Sequence, residues 1–376
     1  PRSTLFPYTT LFRSFNRKNI YYWKCDRPSA FYALEGKQEE KSNITENLLH
    51  SLLSDYFGDD GFNFRPAGGQ GNHLTYIVSC KNIDYFLRIE DGPECDNYIG
   101  IESKVMDMVR ACEVPTPKIF TVDSSRTCYP FAYQLMEFID YPDLNSIDKK
   151  GLLDPLSLGE IIGENIARWQ IIKPAGFGLF NPEFQKAGEP LYGLHENYPD
   201  YFLLNLDRHL DFLTLGGFLS LQEKKNLQDI VQSNMQYLQI DKGCLVHKDL
   251  AFWNILGTKE EIKSFIDWDD SISGDPTDDL SLLSCFQCWP FMETVLKGYQ
   301  NIKPLPENFE SRFWLHLLRN MIVKAVIRVG AGYFDRKDDF FLIGSGSNGK
   351  SLETTTRERI QLAYLGLTGK AKLTDL

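Results

Sequence analysis

A chain of 376 residues, 43% hydrophobic and 13% aromatic, can bury a large core as one two-lobed unit or two domains, which excludes a disordered or fibrous protein. The formal net charge of −11 argues against a nucleic-acid partner, because phosphate binding needs clustered Lys and Arg, and leaves room for a cationic small molecule. No apolar run reaches the length of a membrane span, so no membrane partner is expected.

The eight cysteines have no compact scaffold spacing, which points to reduced thiols and a cytoplasmic setting. The single CxxC, Cys285 and Cys288, lacks a second pair or a nearby His to complete a tetrahedral zinc site. Following "DDLSLL", it reads as two thiols on a buried helix.

At the N-terminus, "TLFPYTTLFRS" (residues 4–14) resembles the in-frame translation of a sequencing-library adapter, so residues 1–14 are set apart from the fold and 15–41 read as an extension. The first helix is expected from Ser42 to Gly58, with Asn43 and Glu46 as a capping box and Leu48, Leu49, Leu52 and Leu53 on one stripe. Two alternating strands follow a glycine cluster and join at a tight Lys81-Asn82 turn. In the second, period two puts Tyr85, Leu87 and Ile89 on one face and Phe86 and Arg88 on the other.

A helix carrying Tyr98, Ile101, Val105, Met108 and Val109 is stopped by "VPTP" (114–117). "YPFAYQLMEFI" reads as a strand entering a polar hinge. Beyond Asp154 the pattern turns helical: one helix through Leu158, Ile162, Ile166 and Trp169, a second over "YPDYFLLNLDRHLDFL", a third over "FWLHLLRNMIVKAVIRVGAGYF". The resulting class is α+β, with a small β-rich lobe (42–137) hinged to a larger, mainly helical one (138–376).

Asp249, Asn254 and Asp267 carry the chemistry. Asp249 and Asn254 lie in "LVHKDLAFWNIL", and the next apolar run, "SFI", ends at Asp267. Two short strands joined at "GTKEE" would bring Asn254 and Asp267 together at one end of a hairpin. An amide oxygen beside a carboxylate suits Mg²⁺, a hard cation that also holds phosphates. Asp249 would then accept the proton of an attacking hydroxyl. A base, a metal pair and a glycine loop in a separate lobe are the parts of phosphoryl transfer from a nucleotide.

"HKDLAFWNIL…FIDWDDSISGDPTDDLSLL" resembles the aminoglycoside phosphotransferase family of small-molecule kinases, whose pattern is H-x-D-x-x-x-x-N, then I-D, then G-D-P-x-x-D-L. The likeness extends upstream to "GGQGN", "FLRIE" and "LMEF" and covers roughly residues 45–290. It implies a protein-kinase-like bilobal fold and phosphorylation of a hydroxyl by ATP (or GTP) with Mg²⁺. It further implies Asp249 as catalytic base and Asn254 and Asp267 as metal ligands. Arg88 would meet the α- and β-phosphates, oriented by Glu102. Gly68, Gly69, Gly71 and Asn72 would cover the phosphates, and backbone groups of Met136, Glu137 and Ile139 would contact the adenine.

Lys248 stands where that family often has Gly and is expected to point to solvent. His247 is expected to brace the loop rather than act as a base, and Asp275 and Asp279 to hold loops or cap helices. Asp269 and Asp270 are left open between a cationic substrate, a second metal and a solvated pair. Tyr192, His195, Tyr198, Tyr201 and Trp289 are candidate pocket residues by position, and "YFDRKDDF" (333–340) reads as a solvated loop. "FIDWDD" in place of D-F-G, with no V-A-I-K or A-P-E, disfavours a eukaryotic-type protein kinase. The expected acceptor is an aminoglycoside-type antibiotic; the alternatives are a metabolic kinase for choline, homoserine, a sugar or a nucleoside, and a pseudokinase. The last would have lost a base or metal ligand, and all are present.

Overall fold

The computed structural model describes residues 44–58, 61–67, 73–90, 97–183, 190–336 and 349–376. The readings on residues 1–41, on the Asn43 cap, on Gly68, Gly69, Gly71 and Asn72, and on the end of "YFDRKDDF" lie outside the described residues.

Helix α1 (Glu46–Phe57) is capped by Thr45, whose hydroxyl accepts the Leu48 N–H at 3.3 Å. It buries Leu49, Leu52 and Leu53 against an antiparallel sheet. That sheet has strands β1 (Phe62–Pro66), β2 (Leu74–Cys80), β3 (Ile83–Glu90), β4 (Ile119–Asp123) and β5 (Ala132–Glu137), in the order β1-β2-β3-β5-β4. Lys81 and Asn82, at φ 50° and 63°, make the left-handed two-residue turn that joins twisted strands without splaying them.

The period-two reading of β3 holds. Leu87 and Ile89 enter the small core with Val78 and Leu135, while Arg88 faces the other way, toward Glu102. Glu102 comes from helix α2 (Tyr98–Ala111), which ends before "VPTP" as expected. The apolar residues of α2, Val105 and Val109 among them, join the larger core rather than the sheet's own.

The remainder is mainly helical. Helices Pro155–Trp169 and Trp289–Ile302 cross so closely that a Cβ at Gly163 would lie 1.9 Å from the Val295 carbonyl oxygen, and one at Gly298 2.0 Å from that of Glu160. The helix Phe309–Gly330 runs through the interior, burying Phe313, Trp314, Leu317 and Met321 together with the polar side chains of Arg312, His316 and Asn320.

Two expectations are corrected. "YPDYFLLNLDRHLDFL" forms two helices, Tyr198–Phe202 and Leu206–Leu215, because Asn205 takes a left-handed φ of 58°, which Asn tolerates better than most residues. The two CxxC thiols do not share a helix. Asp278–Leu283 ends before Cys285, which is buried, and exposed Cys288 caps the next helix, restarted with Pro290 in its first turn.

The segment 244–274 fixes the site. Strand Cys244–Val246 pairs with Ile272–Gly274, and Ile255–Gly257 with Ile262–Phe265. The loops 247–254 and 266–271 therefore lie side by side, each tethered at both ends.

Candidate active site

His247 is fully buried, with Nε2 3.0 Å from the Ile266 carbonyl and Nδ1 accepting the Asp249 N–H at 3.3 Å. A ring that donates from one nitrogen and accepts at the other is neutral, and burial pushes its pKa down to about 4. It braces the loop, as expected. Asp279 holds the same loop from below, accepting the N–H groups of His247 (2.9 Å) and Lys248 (3.0 Å) and the Trp169 indole (3.1 Å). This gives Trp169 a structural purpose that its place in a helical stripe did not disclose.

Lys248 corrects the solvent reading. Its backbone is left-handed, at φ 72°, and its ammonium is buried between Asp278 (2.9 Å) and Asn320 (2.6 Å). The backbone turn sends the side chain inward, where a buried carboxylate needs a cation. A glycine would take this φ without strain, at the loss of that ion pair.

Asp249 stands on the cleft side with 27% of its side chain exposed. Burial pushes its pKa up to about 6; Lys324, with Nζ 3.7 Å away, draws it down, and Asp270 raises it. Asn254 donates its amide to the Asp249 carbonyl (2.7 Å) and carboxylate (2.9 Å). Both acceptors can only take hydrogens, so Nδ2 must face them and Oδ1 is the atom left for another partner. The Ile266 N–H bonds the Asn254 carbonyl at 3.0 Å, which sets Asp267 beside Asn254 as the hairpin reading required.

Arg88 ties the sheet to this pair. Its guanidinium bonds Glu102 at 2.6 Å and Asp267 at 3.0 Å, with Asp269 at 3.4 Å. Glu102, 1% exposed, also accepts the Trp268 N–H at 3.1 Å. Burial pushes the Asp267 carboxyl up against the pull of Arg88, and Asp269 and Asp249 add to the rise. Carboxylates thus outnumber cations at this point, and an amide oxygen with a partly exposed carboxylate is a donor set that fits a hard divalent cation.

One residue here, Asp269, was left open in the sequence, and another, His73, was not singled out. Asp269 is 8% exposed and belongs to the Arg88 cluster. His73 lies 3.0 Å from Glu90 and 3.4 Å from Asp269, joining the sheet to the 266–271 loop. Burial and Arg88 oppose its charge, but the bonds to Asp269 and Glu90 prevail and raise its pKa to about 9. The only signal was its position directly after "GGQGN".

At the hinge, Met136 is buried, Glu137 exposed and Ile139 half-buried. The Glu137 N–H bonds Lys118 O at 2.8 Å and the Ile139 carbonyl takes the Tyr141 N–H at 2.8 Å. Tyr198 and Tyr201 are core residues, 0% and 1% exposed, and do not line a pocket as expected from position. Tyr192 is exposed, and His195 and Trp289 are half-buried. An apolar groove of about 460 Å³, lined by Phe218, Leu227, Ile360 and Tyr364, contains none of the site residues.

An antiparallel sheet bearing a cation–carboxylate pair, set against a helical part that presents an acid, an amide and a second acid from two tethered loops, is the arrangement of a kinase-like phosphotransferase. Residues 64–303, more than half of the chain, match the profile of APH, the phosphotransferase enzyme family, and the chain belongs to that family. It is a small-molecule kinase with a hydroxyl group as acceptor. No curated protein matches the sequence significantly.

Among solved structures, it resembles aminoglycoside phosphotransferase APH(4)-Ia at 14% identity and TM-score 0.59, over 86% of this chain and 99% of that one. A thermostable mutant of the same protein, in ternary complex with ADP and hygromycin B, aligns at 15% identity and TM-score 0.60, over 84% and 97%. The microcompartment-associated aminopropanol kinase aligns at 15% identity and TM-score 0.59, over 87% and 100%. At such identities these likenesses carry the fold.

Proposed function

We propose that the chain transfers the γ-phosphoryl group of ATP (or GTP) to a hydroxyl of an amine-bearing small molecule, most simply an aminoglycoside-type antibiotic. The observation that carries this reading is the convergence of Asp249, Asn254, Asp267 and the Arg88–Glu102 pair on one cleft. Asp249 accepts the hydroxyl proton as the acceptor oxygen bonds the γ-phosphorus; the bond from that phosphorus to the bridging oxygen breaks, and ADP leaves with its electron pair.

Asn254 and Asp267 are the residues that would hold Mg²⁺, which when bound neutralises phosphate charge. Arg88, aimed by Glu102, meets the α- and β-phosphates. Gly68, Gly69, Gly71 and Asn72 cover them, and hinge backbone at Met136, Glu137 and Ile139 holds the adenine. His247 keeps the loop in register and takes no proton.

The excess of carboxylates around Asp249 favours an acceptor that carries an ammonium group. Hygromycin B and aminopropanol, named for the similar structures, both join an amine to a hydroxyl. That chemistry supports a second reading, a metabolic amino-alcohol kinase, over a sugar or nucleoside kinase. The experiment is ADP release measured with aminoglycosides, hygromycin-type compounds, aminopropanol, choline, homoserine, sugars and nucleosides. Turnover is expected with amine-bearing alcohols; turnover confined to uncharged sugars or nucleosides would overturn the acceptor assignment.

A further inference from the structure

We propose that the Lys324 ammonium, and not that of Lys248, is the cation that meets the phosphoryl group as it passes to the acceptor. The inference rests on Asp249 being the base at that point. Two lysines approach the loop 247–254. Lys248 adjoins Asp249 in sequence, but its ammonium is spent on Asp278 and Asn320 in the interior. Lys324 comes from the far end of the chain and reaches Asp249 Oδ1 at 3.7 Å.

The way Lys324 is held favours a working role. Its side chain is 14% exposed and its ammonium lies 4.9 Å from the centroid of the Phe286 ring, so the charge is held between an aromatic face and the Asp249 carboxylate. At 3.7 Å the contact with Asp249 is an ion pair too long for a strong hydrogen bond, which leaves ammonium hydrogens for a second anion.

Its position is also registered. Asn320, one helical turn earlier on the helix Phe309–Gly330, binds Lys248 at 2.6 Å and Asp278 at 2.9 Å. Residues one turn apart share a face. One helix face therefore grips Lys248 with Asn320 and presents Lys324 to Asp249.

Charge gives the reason. Asp249, Asp267, Asp269 and Asp270 bring only negative charge to the loops. Arg88 is committed to Glu102 and Asp267, on the sheet side. As the γ-phosphoryl leaves ADP for the acceptor oxygen, negative charge spreads over its three equatorial oxygens. The acceptor's proton goes to Asp249; Lys324 gives up none and stays an ammonium, a preplaced donor to those oxygens.

The test uses the full chain with Lys324→Met and Lys324→Arg, and Lys324→Gln should the Met variant fail to fold. Two quantities are read: kcat and KM for ATP in acceptor-dependent ADP release, and binding of Mg²⁺–ADP by calorimetry with and without aluminium fluoride, which mimics the phosphoryl group in flight. Lys324→Met is expected to lower kcat about 100-fold with KM for ATP within about 2-fold, the loss typical of one removed oxyanion donor. It is expected to bind Mg²⁺–ADP normally but to lose the tightening that aluminium fluoride brings, and Lys324→Arg to keep most of both.

A Met or Gln variant with kcat within about 2-fold of the parent and the fluoride effect intact would overturn the proposal. So would equal losses in Met and Arg variants together with weaker Mg²⁺–ADP binding, which would mark a packing role. Asp249→Asn, run beside them, separates the two claims. Its continued turnover would remove the base assignment itself, whereas an inactive Asp249→Asn with an unaffected Lys324→Met removes only the lysine.

Discussion

Asn254 donates its side-chain amide to both the backbone carbonyl and the carboxylate of Asp249, at 2.7 and 2.9 Å. One side chain thereby fixes the direction of the acid and leaves its own oxygen for another partner. Asn254→Ala removes both effects. The Mg²⁺ concentration for half-maximal activity is expected to rise at least about 10-fold, the usual scale for a lost ligand or its partner. A metal titration checks this, and an unchanged requirement would remove Asn254 from the metal site.

Glu102 and Arg88 form a buried pair at 2.6 Å that also reaches Trp268 and Asp267. Glu102→Ala leaves the guanidinium without its buried partner, and a loss of about 3 kcal/mol is expected in denaturant unfolding. Arg88→Lys keeps the charge but not the fork that holds both carboxylates, so KM for ATP is expected to rise several-fold with stability less affected. Equal effects of the two variants on both quantities would contradict this division.

Lys248 combines a left-handed backbone with a buried ion pair to Asp278. Both Lys248→Ala and Lys248→Gly leave the buried Asp278 carboxylate without its cation, and Lys248→Ala is expected to destabilise by about 3 kcal/mol. Glycine alone escapes the backbone strain, so Lys248→Gly is expected to be the more stable of the two by about 1 kcal/mol. Chemical denaturation of the pair measures the difference, and an alanine variant as stable as the glycine one would refute the strain argument.

Asp275 accepts Arg312 Nε at 2.7 Å and faces His316 Nε2 at 3.2 Å. Burial opposes its charge, but His316 and Arg312 outweigh it and hold the carboxyl well below the usual carboxylate range. A carboxyl depressed in the folded state contributes stability that is fully present above its unfolded value, 3.8, and is lost as the pH falls through the folded one. Asp275→Asn is therefore expected to be less stable at neutral pH and to show a shallower loss below about pH 4. Parallel unfolding curves from pH 7 to pH 2 would contradict the assignment.

Much of the site was legible because its residues are close in sequence. "HKDLAFWN" and "FID" are joined by a short turn, so hairpin geometry alone brings Asn254 to Asp267. The alternation of β3 likewise placed Arg88 on the cleft side. Lys324 was hidden because it lies on a helix with no motif, and only the folded chain brings that helix face to Asp249. His73, and the side on which Asp269 acts, were hidden for the same reason, each being defined by a partner on another element. Lys248 was misread because composition favours solvated lysines, whereas a backbone angle decided its direction. The break at Asn205 shows the same limit, since an apolar stripe continues across a residue whose φ ends the helix.

The central claim is that Asp249 takes the acceptor's proton while the nucleotide is held by other groups. It is tested most directly by Asp249→Asn, with single-turnover phosphoryl transfer and ATP affinity measured on the same preparation. Transfer is expected to fall by about 1,000-fold with the ATP Kd within about 3-fold of the parent, as loss of a general base requires. Transfer within about 10-fold of the parent at unchanged affinity would contradict the account.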